Sequence, residues 1–589
     1  MTGKIGKRMT LNAVALVAAA AALAACGGSD NDTVAQTAPP PATDTTTTPP
    51  ASTATPTLLP CEKLLGMVVP AASIGLPTLG GSVTSANLVA ASGTGATAVP
   101  SYCEITGKIT PVDVTAPNIL FQVSLPVEWN QKTVMFGGGG FNGTIPSLKS
   151  NVPAGPTDKP TPLGRGYATF ASDSGHQSNA LATRDGLFGA NDEALRNYGG
   201  DALKKTRDAA TAIIKAYYGT LPVKSYFAGG SNGGREALTI IQRWPQDWDG
   251  AIAWYPAWND TAALLSGQFM SRALAQPGAY LNPAKRLALY DAAMEACDSL
   301  DGVKDGLIAN QNVCNATFDP ATATLRGAPL RCAAGADTGD TCLSDAQIVA
   351  MKKLNGAFNF QVPMLNGDTT HPGFNMWGAD TGITAWNKPT QAYVSFVNFG
   401  TAQPATPMPV TAPFMAQLAD QFMKYFVTRD PAFVSLSFDP ENMGAWGTRM
   451  QEVARLLDAK TDISAFQARG GKLLIAHGLT DTVVSSRPTR QYYERLQNQF
   501  GAATVNSFVR FYEVAGYAHA SSNVFNVAWD SLTALDEWRV DGKAPAGQVA
   551  TDITGVPGRT RPLCDYPAWP KYKGNGDVNI AASFECVVQ

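Results

Sequence analysis

The stretch Phe227-Ala228-Gly229-Gly230-Ser231-Asn232-Gly233-Gly234-Arg235 carries the sharpest chemical signal in the chain. It contains Gly229-x-Ser231-x-Gly233, in which a strand turns into a helix around one outward-facing serine. Small flanking residues leave room for so tight a turn, and the serine sits beside a helix N-terminus. The apolar run before it and Glu236-Ala237-Leu238-Thr239-Ile240 after it supply the strand and the helix. A serine hydroxyl is a poor nucleophile unless a base takes its proton and an acid orients that base. Only four histidines exist, His176, His371, His477 and His519. At such elbows the acid follows the serine and the histidine follows the acid. His519 alone comes late enough; His176 and His477 read as structural or pocket-lining. Asp481, in His477-Gly478-Leu479-Thr480-Asp481, is the expected acid. Asp173 is held in reserve but precedes the serine. The oxyanion of a tetrahedral intermediate needs backbone N–H donors. Asn232 supplies one, and Gly138, within the run Gly137 to Gly140, the other. The implied chemistry is acyl transfer to Ser231, then attack by water activated by His519. The competing reading is a glycine-rich turn in a protein that binds without reacting.

Elements able to position these residues recur along the chain. Short apolar runs at 132–136, 167–171, 225–228, 251–254, 472–476 and 508–512 read as buried strands. Helix-like stretches at 202–218, 234–243 and 487–499 alternate with them. Strand-helix alternation predicts a mainly parallel sheet, so the fold class is α/β. The core is split into 59–254 and 466–589. Between them, 255–465 reads as one large insertion placed where a lid would sit.

With 589 residues the chain is too long for one minimal module. Apolar residues make up 45% and charged residues 15%, which excludes a wholly disordered chain. Lys plus Arg is 44 against 47 Asp plus Glu, a net charge of -3, and this disfavours a nucleic-acid partner. Lys4, Lys7 and Arg8 precede an apolar run, Leu11 to Ala25, shorter than the roughly 20 residues a bilayer span needs. The run ends at Leu23-Ala24-Ala25-Cys26, which resembles a bacterial lipoprotein signal over 1–26 with Cys26 as the lipidated residue. In lipoproteins a Gly27 rather than an aspartate goes with outer-membrane sorting. Residues 27–58, rich in Thr, Pro and Ala, read as a tether unable to fold. The expected location is therefore exported: an outer-membrane-anchored lipoprotein, or periplasmic or extracellular. Setting Cys26 aside leaves an even number of cysteines, which in an exported chain favours disulfides. Neighbours along the chain suggest Cys61–Cys103, Cys297–Cys314, Cys332–Cys342 and Cys564–Cys586. No CxxC of metal-site spacing points to zinc.

Asp298-Ser299-Leu300-Asp301-Gly302-Val303-Lys304-Asp305-Gly306-Leu307 places three carboxylates around glycines. Hard oxygen ligands so spaced suit calcium, though not in the EF-hand pattern, and a solvated acidic turn is the alternative. No sequence fingerprint of an organic cofactor occurs.

Taken together, these pieces resemble the tannase/feruloyl esterase family of α/β-hydrolases. The matching pieces are Gly137-Gly138 with Asn142-Gly143, Asp173-Ser174-Gly175-His176, Gly229 through Arg235, the loop 298–307, His477-Gly478-x-x-Asp481, and Arg559-Thr560-Arg561-Pro562-Leu563-Cys564. The resemblance covers nearly all of 59–589. It implies a triad of Ser231, Asp481 and His519. It also implies a structural Ca2+ held by Asp298, Asp301 and Asp305 with the carbonyls of Val303 and Leu307, and a lid closing over an aromatic acyl group. Activities in the family include hydrolysis of gallate and ferulate esters and of hydroxyethyl terephthalate monoester.

One departure concerns a cysteine pair that the family usually places before the serine and after the histidine, tying the two catalytic loops. Here those positions are Gly230 and Ala520. With the triad intact, activity is expected to be retained, the geometry being held by packing. A second clue is that no arginine occurs between Arg331 and Arg429, although Lys352, Lys353, Lys388 and Lys424 do. A free substrate carboxylate calls for a cation, usually arginine, so the expectation tilts toward neutral aromatic esters. Trp377, Trp386, Tyr393 and Phe396 are candidates for an aromatic wall or for lid core. The leading reading is a serine carboxylic ester hydrolase for feruloyl, galloyl or phthalate-type esters, acting as a monomer or weak oligomer on a small aromatic ester. The alternatives are a hydrolase for terephthalate-type monoesters or synthetic aryl esters, and a non-catalytic ligand-binding surface lipoprotein.

Overall fold

A computed structural model describes residues 58–381 and 399–588. The lipoprotein signal with Cys26, the tether up to residue 57, and Trp386, Lys388, Tyr393 and Phe396 lie outside the described residues.

The folded unit is built on a ten-stranded sheet. Its strands, in chain order, are β1 (Val68–Val69), β2 (Gly81–Val89), β3 (Tyr102–Ile109), β4 (Ile119–Pro126), β5 (Lys132–Phe136), β6 (Ala168–Ser172), β7 (Lys224–Gly230), β8 (Gly250–Trp254), β9 (Lys472–Gly478) and β10 (Val509–Val514). The spatial order is β1-β2-β3-β4-β6-β5-β7-β8-β9-β10. From β6 onward every pairing is parallel, whereas β1 to β4 form an antiparallel meander joined to β6.

The parallel strands are covered on both faces. Successive residues point to opposite sides, so Phe227, Ala251, Ala253, Leu473 and Ile475 enter one apolar cluster. Tyr226, Ala228, Ile252, Trp254, Leu474 and Ala476 enter another. The first face is packed by helices α1 (Ala202–Tyr218), α2 (Asn232–Arg243) and α4 (Ser486–Phe500), the second by α5 (Ser531–Asp541). This two-sided burial is why these strands read as unbroken apolar runs.

The antiparallel meander was not anticipated. In β2 the burial alternates and then opens to solvent, and its Ser, Thr and Asn residues break up any apolar run.

β8 and β9 are hydrogen-bonded neighbours, with Trp254 opposite Ala476, yet the whole of 255–471 lies between them. Most of that segment packs around its own apolar cluster, to which helix α3 (Asp260–Leu274) contributes Leu264, Leu265 and Met270. Its last residues return to the sheet: Ala459, Ile463 and Phe466 belong to the cluster under α2 and α4.

All four expected disulfides are present, Cys61–Cys103, Cys297–Cys314, Cys332–Cys342 and Cys564–Cys586. They fit an exported chain. Among the described residues no helix is long and apolar enough to cross a membrane.

Candidate active site

The register of the parallel strands aligns their carboxyl ends, where open α/β sheets hold their ligands. Gly230 of β7 and Ala476 of β9 both lie opposite Trp254 of β8. The residues just beyond these ends, Ser231, Tyr255 and Asp481, are thereby gathered, and His519 follows β10 on the same edge.

Ser231 has φ 62° and ψ -124°, a conformation rarely adopted by a residue with a side chain. Three bonds hold it there: its N–H donates to Trp254 O at 3.0 Å, and its carbonyl accepts the N–H groups of Arg235 and Ala257 at 3.1 and 3.2 Å. The flanking glycines are demanded by the backbone itself. A Cβ at 229 would lie 2.3 Å from Gly233 O, and one at 233 would lie 2.7 Å from Gly138 O.

His519 Nδ1 is 2.7 Å from Asp481 Oδ2. An ionised carboxylate can only accept, so Nδ1 carries the proton and Nε2 is the basic atom. Asp481 is fully buried, and its Oδ1 accepts the N–H groups of Val483 and Val484 at 2.8 and 2.9 Å. Burial by itself pushes this carboxyl up, but His519 and His477 beside it outweigh burial and hold it below the usual carboxylate range. His477 thus has a part that the sequence did not reveal. Its Nε2 is 3.4 Å from Asp481 Oδ2, and the ring is fixed by Val484 O and Thr489 Oγ1, each at 2.9 Å.

Ser231 and His519 line a common cleft of about 420 Å3 with Gly139, Tyr255, Phe414 and Ala520. That size suits a small organic ligand. A much smaller recess of about 20 Å3 is lined by Ser231, Ala263, Leu264, Leu418 and Val484 together with Asp260 and Tyr198.

The expected second oxyanion donor is corrected. The Gly138 N–H donates to Glu236 Oε2 at 3.0 Å, so it is turned from the cleft. The Glu236 carboxylate is buried in α2 and also accepts from Asn142 Nδ2 (2.8 Å) and Asn232 Nδ2 (3.2 Å). Gly139, next along, faces the cleft, and its N–H has no hydrogen-bond partner among the described residues. Gly139 rather than Gly138 is therefore the candidate donor to pair with Asn232, the first residue of α2. Four consecutive glycines cannot show which amide faces inward; a carboxylate on a distant helix decides it.

Other sequence candidates fall outside the cleft. Asp173 accepts the N–H groups of Leu120 and Gly175 and a bond from Gln177, and burial pushes its carboxyl up to about 7. His176 stacks on Phe188 with ring centres 3.7 Å apart, and burial pushes its pKa down to about 3. Trp377 is core, packed against Phe318. Lys352 pairs with Asp319 and Lys424 with Asp420. One cation lies outside the span between Arg331 and Arg429. Arg184 lines the cleft and bonds Gln417 Oε1 of the insertion at 2.6 Å.

The aspartate loop is a tied turn. Asp298 Oδ1 accepts the N–H groups of Asp305, Gly306 and Leu307 at 3.0 to 3.2 Å. Asp305 pairs with Arg561, and its carbonyl accepts from Arg559 at 2.9 Å. Asp301 is pushed up to about 7 by burial and by the neighbouring carboxylates. That crowding of buried negative charge suits a hard cation. No three acidic, His or Cys side chains converge as a metal-holding group among the described residues.

A family model described as tannase and feruloyl esterase matches residues 103–587. An uncharacterised esterase of Agrobacterium fabrum is 37% identical over 536 residues, covering 89% of this chain and 92% of the relative. The mono(2-hydroxyethyl) terephthalate hydrolase of Piscinibacter sakaiensis is 33% identical over 541 residues, covering 83% and 85%. Among solved structures, feruloyl esterase B from Aspergillus oryzae superposes with a TM-score of 0.69 at 22% identity, covering 90% of this chain and 99% of that one. A tannin acyl hydrolase from Aspergillus niger gives 0.64 at 19% identity, covering 86% and 92%. The α/β-hydrolase expectation holds, and the chain is an esterase that belongs to the tannase and feruloyl esterase family.

Proposed function

We propose that this protein hydrolyses esters of small aromatic acids through an acyl-enzyme on Ser231. The observation that carries the reading is the strained Ser231 and the Asp481-oriented His519 lining one cleft. Ser231 Oγ attacks the ester carbonyl carbon while His519 Nε2 takes the hydroxyl proton. The N–H groups of Asn232 and Gly139 receive the negative carbonyl oxygen. As the tetrahedral intermediate collapses, the C–O bond to the alcohol breaks, and the alkoxide takes the proton from His519. Water then attacks the acyl-enzyme by the same route, releasing the acid. The cleft of about 420 Å3 beside Ser231 has room for an aromatic acyl group, and the relatives include a probable feruloyl esterase and a mono(2-hydroxyethyl) terephthalate hydrolase. A fluorophosphonate probe is expected to label Ser231 covalently and not to label Ser231→Ala. An intact but unlabelled wild-type protein would leave the ligand-binding reading in its place.

A second substrate reading, an aromatic ester bearing a free carboxylate, is favoured by Arg184 on the cleft wall. Guanidinium and carboxylate match in charge and shape. Arg184→Leu should then raise KM for a terephthalate monoester but not for its neutral methyl ester.

The reading extends to structure as well as chemistry. Asp298, Asp301, Asp305 and the carbonyls of Val303 and Leu307 would hold Ca2+, whose charge would relieve the crowding at Asp301. The segment 255–465 would act as the lid over the acyl group. Lipidation at Cys26 would hold the body at a membrane.

A further inference from the structure

We infer that Tyr255 is the positioning residue that holds the nucleophile elbow and the base in register. Glycine at 230 is then a consequence of that tyrosine. Gly230 lies outside the left-handed region, so its own backbone does not require glycine. Its surroundings do. A Cβ built there meets Tyr255 Cε2 and the hydroxyl oxygen at 2.5 Å and Cζ at 2.6 Å, and these are its three nearest atoms. Real carbon contacts do not close to that distance, so the ring fills the volume a side chain at 230 would occupy.

The same ring reaches the base. Its centre lies 4.7 Å from the His519 ring at an interplanar angle of 56°, within the range of aromatic packing. It lies 6.5 Å from the His477 ring on the far side of Asp481. Tyr255 is buried and carries a φ of 34°, an outlying conformation for an aromatic residue. Its N–H donates to Ala476 O at 2.7 Å. The backbone is thus fixed by the sheet while the ring spans the residue before Ser231 and the face of His519. Ser231 is also tied to the residue before Tyr255, because its N–H donates to Trp254 O. A non-covalent wedge therefore sits between two loops that carry no cysteine at 230 or 520.

The inference rests on Ser231 being the nucleophile, so its test reads that serine directly. The rate of Ser231 labelling by a fluorophosphonate, kcat and KM for a p-nitrophenyl ester, and thermal melts are measured for Gly230→Ala, Tyr255→Ala, their combination and Tyr255→Phe. Tyr255→Ala is expected to slow labelling and lower kcat about 10- to 100-fold, as sub-ångström misplacement of a base does, with KM changed less than about threefold. Gly230→Ala should also slow labelling in the wild-type background, because its methyl drives the ring into His519. In the Tyr255→Ala background the same methyl should cause no further loss. Tyr255→Phe, which keeps the ring, should label within about threefold of wild type. Losses that multiply independently, or Tyr255→Phe slowing labelling as much as Tyr255→Ala, would overturn the inference. Should Tyr255→Ala unfold, Tyr255→Leu runs the same cycle. Wild-type protein that is not labelled at Ser231 would sink the nucleophile reading itself, a different outcome from an additive cycle.

Discussion

At the scale of single residues, the site depends on one buried carboxylate serving two imidazoles. Asp481 accepts from His519 and lies against His477, and its charge is sustained by both rings and by two backbone N–H groups. Replacing it with asparagine removes the charge and offers His519 Nδ1 a donor as readily as an acceptor. Asp481→Asn is therefore expected to lower kcat by about 10^4-fold with KM little changed, measured by steady-state hydrolysis of a p-nitrophenyl ester. His477→Gln removes only a supporting contact and should cost about tenfold. The triad candidates were legible because four histidines and a fixed chain order leave little choice. The oxyanion donor and Tyr255 were not, because each depends on which side chain from another element reaches it. Glu236 selects among the glycines, and Gly230 acquires its meaning only from a ring that arrives with the next strand.

At the scale of elements, the carboxyl ends of β7, β8 and β9 set the site, and the start of α3 joins it to the insertion. Two buried acids meet at that start. Asp260 opens α3 and is pushed up to about 6 by burial. Asp458 accepts the Thr261 N–H and is pushed up to about 7, by burial and by the charge of Asp260. A carboxyl raised above its unfolded value near 3.9 keeps its proton longer in the folded state. Its stabilising share is full below that value and is lost as pH rises through the folded pKa. Thermal melts should therefore fall between about pH 4 and 7, and Asp458→Asn should flatten that fall. A variant whose melting curve keeps the wild-type slope would count against this account. The parallel strands were legible as apolar runs because both of their faces are covered. In the meander, β3 was not, because Glu104, Thr106 and Lys108 alternate with its buried residues and an alternating strand has no such run, and in β4 Gln122 and Ser124 interrupt the apolar residues.

At the scale of the whole molecule, distant parts of the chain converge on the aspartate loop. Arg559 and Arg561 of the tail engage Asp305, and the tail is closed on itself by Cys564–Cys586. Cys297–Cys314 brackets the loop from the other side. If calcium neutralises Asp301 there, chelation with EGTA should lower the melting temperature of the wild type by several degrees. It should leave Asp301→Asn, already destabilised, unmoved. Equal melting with and without chelator would remove calcium from the reading. The loop's spacing was visible in the sequence; its clamp of two arginines from the far end of the chain was not.

The insertion leaves the sheet after β8 and rejoins it at β9, two strands that are hydrogen-bonded side by side. A segment whose two ends lie together can lengthen, shorten or be exchanged at little cost in chain closure. Ser231 comes before it, and Asp481 and His519 after it, so none of the proposed reacting groups is carried within it. Part of the recess wall, Leu264 and Leu418, is carried within it, while Tyr198 and Val484 come from the core on either side. Heredity can thus revise part of the cleft wall without touching the proposed reacting groups, as a paragraph is redrafted between two adjacent lines.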